Sequence, residues 1–460
     1  MPFVTRVIYA VCLIVLVTAV PAQRVFGPDI EDCDRAIDQN PKDVEAYRNR
    51  ASAYCRYGEY DRALADLTMA IELKPTDAWA YEERAGVYER IGDHTRAIAD
   101  FSKAIELDPN IAFVYQERAR VYEAMGDHTR AVADYTKAIE LSPENYVPYS
   151  NRGLLYDAIG AHDRALTDFN KALELDPKGY YRYASRGRVY LHMADYDRAI
   201  ADFDRALAAD PNDFTAYENR IVAQCSKAIA LNPKDAAAYN NRGLAYKELA
   251  DPDKREYDQA IADFSKAIEL DPRLAPAYYN RGNAYVDKGD YDKAIVDLTK
   301  CIGLQPDYAG AYLGRGIAYR RKGDSDSAIA DLAKAIKLDP NGAPAYHHRG
   351  DAYLEKRDYD KAIADLNRAI ALFPEGLDAV TSRGLAYLAK GNYGRAAADF
   401  TKSLHMSPES PDVYYHRAVA WFHMKKYENA WVDVDQCLEL GGTPDPKFVE
   451  ELREASGKQE

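Results

Sequence analysis

Tryptophan is scarce, with 3 residues in 460, and methionine and cysteine number only 6 each. The cysteines form no CxxC or Cys/His spacing, which argues against a structural zinc framework. No apolar stretch reaches the ~20 residues of a membrane-spanning helix. The longest, Val7 to Val20, stops at 14. Positive charge is in deficit, since 60 Lys and Arg face 74 Asp and Glu for a formal charge of −14. Such a field repels phosphate backbones and anionic lipid heads, so nucleic acid is not an expected partner. A glycine-rich phosphate loop and a nucleophile elbow are both missing. The abundant carboxylates recur with a fixed period and read as surface, so no catalytic residue, metal site or cofactor is expected, and the chain is not read as an enzyme.

What is present is a beat. Pro41, Pro75, Pro109, Pro143, Pro177 and Pro211 stand 34 residues apart, and the spacing resumes at Pro272, Pro306, Pro340, Pro374 and Pro408. A unit this short cannot bury a core alone and is stable only when stacked on copies of itself. In the unit from Ala78 to Ile111, Tyr81, Arg84, Ala85 and Tyr88 form one helical stripe, and Ala97, Ile98, Phe101, Ala104 and Ile105 form a second. Gly92-Asp93 stops the first helix and caps the next, and Asp108-Pro109 ends the second.

This pattern resembles the tetratricopeptide repeat. Tyr81, Ala85, Tyr88, Ala97, Phe101, Ala104 and Pro109 match that family's signature positions, as do Tyr149, Gly153, Tyr156, Ala165, Phe169, Ala172 and Pro177. The match recurs from Pro28 to Gly442. It implies an all-α, right-handed superhelical solenoid of helix-turn-helix repeats, and most of the 37 tyrosines become packing aromatics. The expected organisation is a signal segment over 1–22, then an array over 23–213 comprising a half repeat and five repeats. A truncated repeat follows over 214–233, then an array of six repeats over 234–442 and a capping helix with tail over 443–460. Complete units start near Val44, Ala78, Ala112, Tyr146, Tyr180, Ala236, Ala275, Ala309, Ala343, Leu377 and Pro411. Between Pro211 and Pro233 the hairpin turn is missing. With no Gly or Pro from Phe214 to Leu231, one continuous helix is predicted there, with a kink of the array. Asp251-Pro252-Asp253 marks a longer loop.

Arginine recurs on every first helix, including Arg84, Arg118 and Arg152, and aspartate on every second helix, including Asp66, Asp100 and Asp134. A bidentate ladder across unit boundaries is expected from these rows. Because Gln224 replaces the aspartate of the irregular unit, Arg242 is expected to lack a partner.

The resemblance further implies that first helices line a concave groove. Its N-terminal part would carry Trp79, Glu82, Glu83, Glu89 and Arg90, then Phe113, Gln116, Glu117, Arg120 and Glu123. Aromatics among carboxylates suit an extended segment bearing Lys or Arg. Asn151, Asn241 and Asn280 belong to an interrupted asparagine row suited to holding a peptide backbone. Further on, Arg320, Arg321 and Lys322 make the groove basic. His347, His348, Asp351, Glu355, His416 and His423 gather near its end, but adjacent helical residues point about 100° apart and do not easily share one ion.

Arg6, the apolar run and Val20-Pro21-Ala22 read as an export signal cleaved after Ala22, leaving a periplasmic or secreted protein with no membrane insertion; an N-terminal membrane anchor is the alternative. Export permits disulfides, so Cys33 and Cys55 are either a bonded pair or two small apolar core residues. The expected function is a non-enzymatic scaffold binding proteins or peptides, in the bacterial envelope. The alternatives are an assembly protein that forms homo-oligomers by end-to-end stacking, and glycan binding through Trp79, Phe113, Tyr181 and Tyr279.

Overall fold

The computed structural model describes residues 29–250 and 257–458. The expected signal segment over 1–22 and the expected Asp251-Pro252-Asp253 loop lie outside the described residues. Those described form helices and connecting turns, with no strand among them. The chain divides into two compact units between Asn212 and Asp213.

Unit 1 holds α1 (Ile30–Gln39), α2 (Val44–Arg56), α3 (Tyr60–Leu73), α4 (Ala78–Arg90), α5 (His94–Leu107) and α6 (Ala112–Ala124). It continues with α7 (His128–Leu141), α8 (Tyr146–Ala158), α9 (His162–Leu175), α10 (Tyr180–His192) and α11 (Tyr196–Ala209). Each even-numbered helix pairs with the next as a hairpin. The hairpin turn of α4 and α5 shows why. Gly92 takes φ 79°, so that the Asp93 amide reaches back to the Tyr88 carbonyl at 2.8 Å. The Asp93 side chain then accepts from the Arg96 amide at 3.0 Å and starts α5. Successive hairpins share a core: Ala85, Ala97, Phe101 and Ala104 pack with Val114 and Val121 of the following unit. Burial therefore lies between units as well as within them.

Unit 2 opens with α12 (Phe214–Leu231), one uninterrupted helix of 18 residues capped by Asp213. It continues with α13 (Ala236–Leu249), α14 (Asp258–Leu270), α15 (Ala275–Lys288), α16 (Tyr291–Leu304), α17 (Ala309–Arg321) and α18 (Ser325–Leu338). Then come α19 (Ala343–Glu355), α20 (Tyr359–Leu372), α21 (Leu377–Ala389), α22 (Tyr393–Met406), α23 (Pro411–His423), α24 (Tyr427–Glu439) and α25 (Pro446–Ser456). At the end, α25 lays Phe448 and Leu452 over Ala418, Ala430 and Val434.

The arginine row corrects the expected ladder. Arg84 gives Nε and Nη2 to Asp100 at 2.7 and 3.0 Å, Arg118 pairs with Asp134, and Arg152 with Asp168. Each bidentate pair thus closes its own hairpin; Asp66 belongs to Arg50. The remaining Nη1 crosses to the preceding unit, where it donates to a neutral acceptor in Arg84 (Thr68), Arg118 (Ser102) and Arg152 (Thr136) and to the Asp34 carboxylate at 2.6 Å in Arg50. Arg242 does not lack a partner, because its own hairpin supplies Asp263 at 2.7 and 2.8 Å. Its Nη1 donates to Ser226 of α12 at 3.2 Å. The far half of α12 therefore presents to α13 the register that a second helix presents elsewhere, and stacking within unit 2 starts from it.

The Cys33–Cys55 bond is not formed. Both thiols are free; Cys33 is buried and Cys55 packs beside Ala51, Ala63, Leu67 and Val87. Burial pushes both thiols above the ordinary range, which suits small apolar packing residues.

Candidate functional site

The first helices α4 and α6 of unit 1 carry the predicted aromatic and acidic residues. Trp79 at the start of α4 is 57% exposed, and Phe113 at the same place in α6 is 48% exposed. Each stands on the first turn of its helix, where the preceding chain does not cover it. Both rings thus offer apolar faces to solvent on neighbouring first helices.

The same two helices carry a crowd of half-buried carboxylates. Glu83 is taken by Arg48, whose Nε and Nη2 donate to it at 2.9 and 3.2 Å, with the same guanidinium 5.9 Å from the Trp79 ring centre. Arg120 donates to Glu117 at 2.7 Å and lies 3.4 Å from Glu89. Glu123 accepts from the Tyr135 hydroxyl at 3.0 Å. Gln116 is buried and donates to Glu117 at 3.2 Å, so it braces the site from beneath and does not face a ligand. Glu82 is different. Among the described residues it makes no hydrogen bond or ion pair, and burial together with the charges of Glu83 and Glu117 lifts its carboxyl to about 7. Burial also raises Glu117, against the pull of Arg120, and raises Glu123. The carboxylates outnumber the cations that serve them, and one is left to be neutralised by a proton or an incoming cation.

The asparagines are divided. Asn151 is half-buried on α8 of unit 1, whereas Asn241 and Asn280 belong to unit 2. There Asn280 donates to Asn240 at 3.0 Å, and Asn240 donates to Asn241 at 3.4 Å, so the amides are partly spent on one another.

Two of the three cations in the basic stretch of unit 2 are also paired: Arg320 donates to Glu355 at 2.9 Å, and Lys322 to Asp292 at 2.5 Å. His347, His348 and Asp351 do bring ligand atoms within 4.8 Å of one another, despite the two histidines being adjacent. Burial, with His347, Arg320 and Arg321 adding to it, pushes His348 down to about 3. His416 and His423 are not part of that group; they stack on Phe400 and Tyr393. A second convergence escaped sequence reading altogether. Asp157, His162 and His192, from three helices of unit 1, also bring ligand atoms within 4.8 Å.

Family models described as tetratricopeptide repeat match residues 146–178, 181–213, 225–262, 275–308, 347–411 and 381–434, and one described as TPR repeat matches 253–286 and 318–357. A model of the ETO1 C-terminal domain matches 28–150. No curated protein sequence matches the chain. Similar solved structures include the Cut9–Hcn1 hetero-tetramer of the APC/C, at 17% identity over 92% of each chain with a TM-score of 0.43. Yeast Tom70 aligns at 17% identity over 91% of this chain and 96% of its own, with a TM-score of 0.37. MamA aligns at 30% identity over 38% of this chain and 92% of its own, with a TM-score of 0.33. No helix of the described residues is long and apolar enough to cross a membrane. With the signature residues on stacked hairpins and repeat models matched along most of its length, the chain belongs to the tetratricopeptide repeat family.

Proposed function

We propose that this repeat scaffold works without chemistry, by holding an extended, basic segment of a partner protein across α4 and α6 of unit 1. Tetratricopeptide repeats serve protein–protein interaction, and the family is generally non-enzymatic; the residues above suggest what this member takes. Glu82 is the observation that carries the reading. A half-buried carboxylate without its own cation, lifted to about 7 by burial and by Glu83 and Glu117, gains most from a Lys or Arg side chain entering beside it. Trp79 and Phe113, exposed on the first turns of α4 and α6, offer faces to the apolar stems or rings of the same segment.

The test is a titration of the full chain with a fluorescently labelled ten-residue peptide alternating Lys and Leu, alongside its Glu/Leu counterpart. Selective binding of the Lys peptide is expected, weakened about tenfold by Glu82→Gln and further by Trp79→Ala with Phe113→Ala, because a desolvated ion pair and aromatic anchors carry most of such an interface. Equal binding of both peptides, or no effect of these variants, would remove this groove from consideration. The export reading of residues 1–22 is proposed on the same footing, supported by Arg6, the apolar run and the Val20-Pro21-Ala22 ending. Amino-terminal sequencing of protein recovered from a bacterial periplasm should begin at Gln23; a chain still starting at Met1 in the cell interior would reject it.

A further inference from the structure

Asp157 lies at the end of α8, His162 at the start of α9 and His192 at the end of α10. Their side chains meet at one carboxylate oxygen. The Nδ1 atom of His162 lies 3.1 Å, and that of His192 2.9 Å, from Asp157 Oδ1. Arg188 donates its Nε to the other oxygen, Oδ2, at 3.2 Å. The carboxylate is therefore divided, with one oxygen pinned by a guanidinium and the other offered to two imidazoles. Its side chain is 3% exposed, while those of His162 and His192 are 30% and 45% exposed. The imidazole rings are 5.4 Å apart and tilted by 47°, so stacking does not account for their meeting.

The geometry points to a divalent transition-metal site made by Asp157 Oδ1, His162 Nδ1 and His192 Nδ1, with the remaining coordination position open to solvent, and Zn2+ is the ion it fits. Ligands about 2.1 Å from a tetrahedral Zn2+ stand about 3.4 Å from one another, so each histidine needs to withdraw from the carboxylate oxygen by only a few tenths of an ångström, and all three ligand atoms already lie within 4.8 Å of one another. Both can, being partly exposed; the buried carboxylate stays where Arg188 holds it, as an outer partner holds a metal ligand. Two imidazoles and one carboxylate favour Zn2+ and its neighbours over Mg2+ or Ca2+, which prefer oxygen alone. The open position makes this a site that can take water or a donor from a partner, unlike a closed structural centre.

The array supplies its own control. Glu89 with His94 and Glu123 with His128 repeat the acid and the histidine at the same places of the two preceding units. There the place of His192 falls on Ala124 and Ala158, which offer no ligand atom. Only the third repetition completes a set, and it does so with the shorter aspartate.

Full-length protein, stripped with a chelator, is titrated with Zn2+ against a chromophoric competitor and with Co2+ followed by visible absorption. One Zn2+ per chain assigned to this cluster is expected, with the intense d–d bands of four-coordinate Co2+. His162→Ala and His192→Ala should each weaken Zn2+ by at least about tenfold, and His128→Ala should leave it unchanged. Circular dichroism confirms that the helices persist in each variant. Absence of Zn2+ uptake by the unaltered chain, or uptake insensitive to both ligand variants, would overturn the proposal. So would loss of uptake in His347→Ala alone, which would move the ion to the other histidine cluster.

Discussion

Ala194, Arg357 and Lys425 accept a left-handed backbone, with φ of 58°, 60° and 59°, at the hairpin turn where Gly58, Gly92, Gly126 and Gly160 stand in other repeats. A β-carbon there crowds the following carbonyl, at a cost of about 1 kcal/mol or more. The turn holds because the Asp195 amide still closes on the Tyr190 carbonyl at 2.9 Å. Ala194→Gly should therefore stabilise unit 1 by about 0.5–1 kcal/mol, the relief being partly offset by the looser unfolded chain. Urea unfolding checks it, and a loss of stability would contradict the strain. Glu82 makes the opposite argument through pH. Its carboxyl titrates at about 7 in the fold against 4.5 in a free chain, so the folded protein holds more protons between those values. Stability then falls as pH rises through that window and levels above it. Glu82→Gln should flatten this slope and leave the variant more stable than the parent at pH 8 by roughly 1–2 kcal/mol, read from denaturation midpoints at pH 5 and pH 8.

Helices in this array stop and start on local chemistry, which is why their positions are legible in the sequence. A proline, or a Gly-Asp pair, acts on its own neighbours whatever the rest of the chain does, and the first-helix starts from Val44 to Pro411 fall where those signals put them. Arginine pairing was not legible in the same way. Arg84 has an aspartate row on either side of it, Asp66 and Asp100, and only the packing of the hairpin decides for Asp100. The Asp157 cluster was hidden for a related reason: His162 repeats with the period of the array and so reads as surface, while His192 comes from a different unit. The exposed Trp79 and Phe113 were visible from position alone, but the burial of Gln116 and the isolation of Glu82 depend on neighbouring helices. Element by element, the sharpest consequence falls on α25. It is the last cover on the apolar faces of α23 and α24, since Phe448 and Leu452 are buried against Ala418, Ala430 and Val434. Truncation before Pro446 should lower the unfolding midpoint of unit 2 and raise the apparent mass in light scattering, because an uncapped repeat face seeks a substitute. A truncated chain that stays monomeric and equally stable would show that α25 caps nothing.

A chain built from nearest-neighbour interfaces distributes its stability along its length, without a centre. Each hairpin draws on its own buried aromatic or leucine and on the helix that follows, so damage is felt locally and fades with distance in sequence. The division at Asn212–Asp213 sharpens this, since the chain falls there into two compact units. Phe169 tests it. The ring is 1% exposed, faces the Gly153 backbone closely enough that an added β-carbon would stand 3.2 Å from it, and packs with Ala165, Tyr156 and Val189. Phe169→Ala removes about 3–5 kcal/mol of local packing. In a protein with one global core that loss would appear everywhere. Here hydrogen exchange should quicken in α8, α9 and α10, by up to about a hundredfold where opening is local, and stay unchanged in α19 to α24. Uniform acceleration across both units would mean that the 460 residues unfold as a single cooperative body, and the repeat-by-repeat account of stability would fail with it.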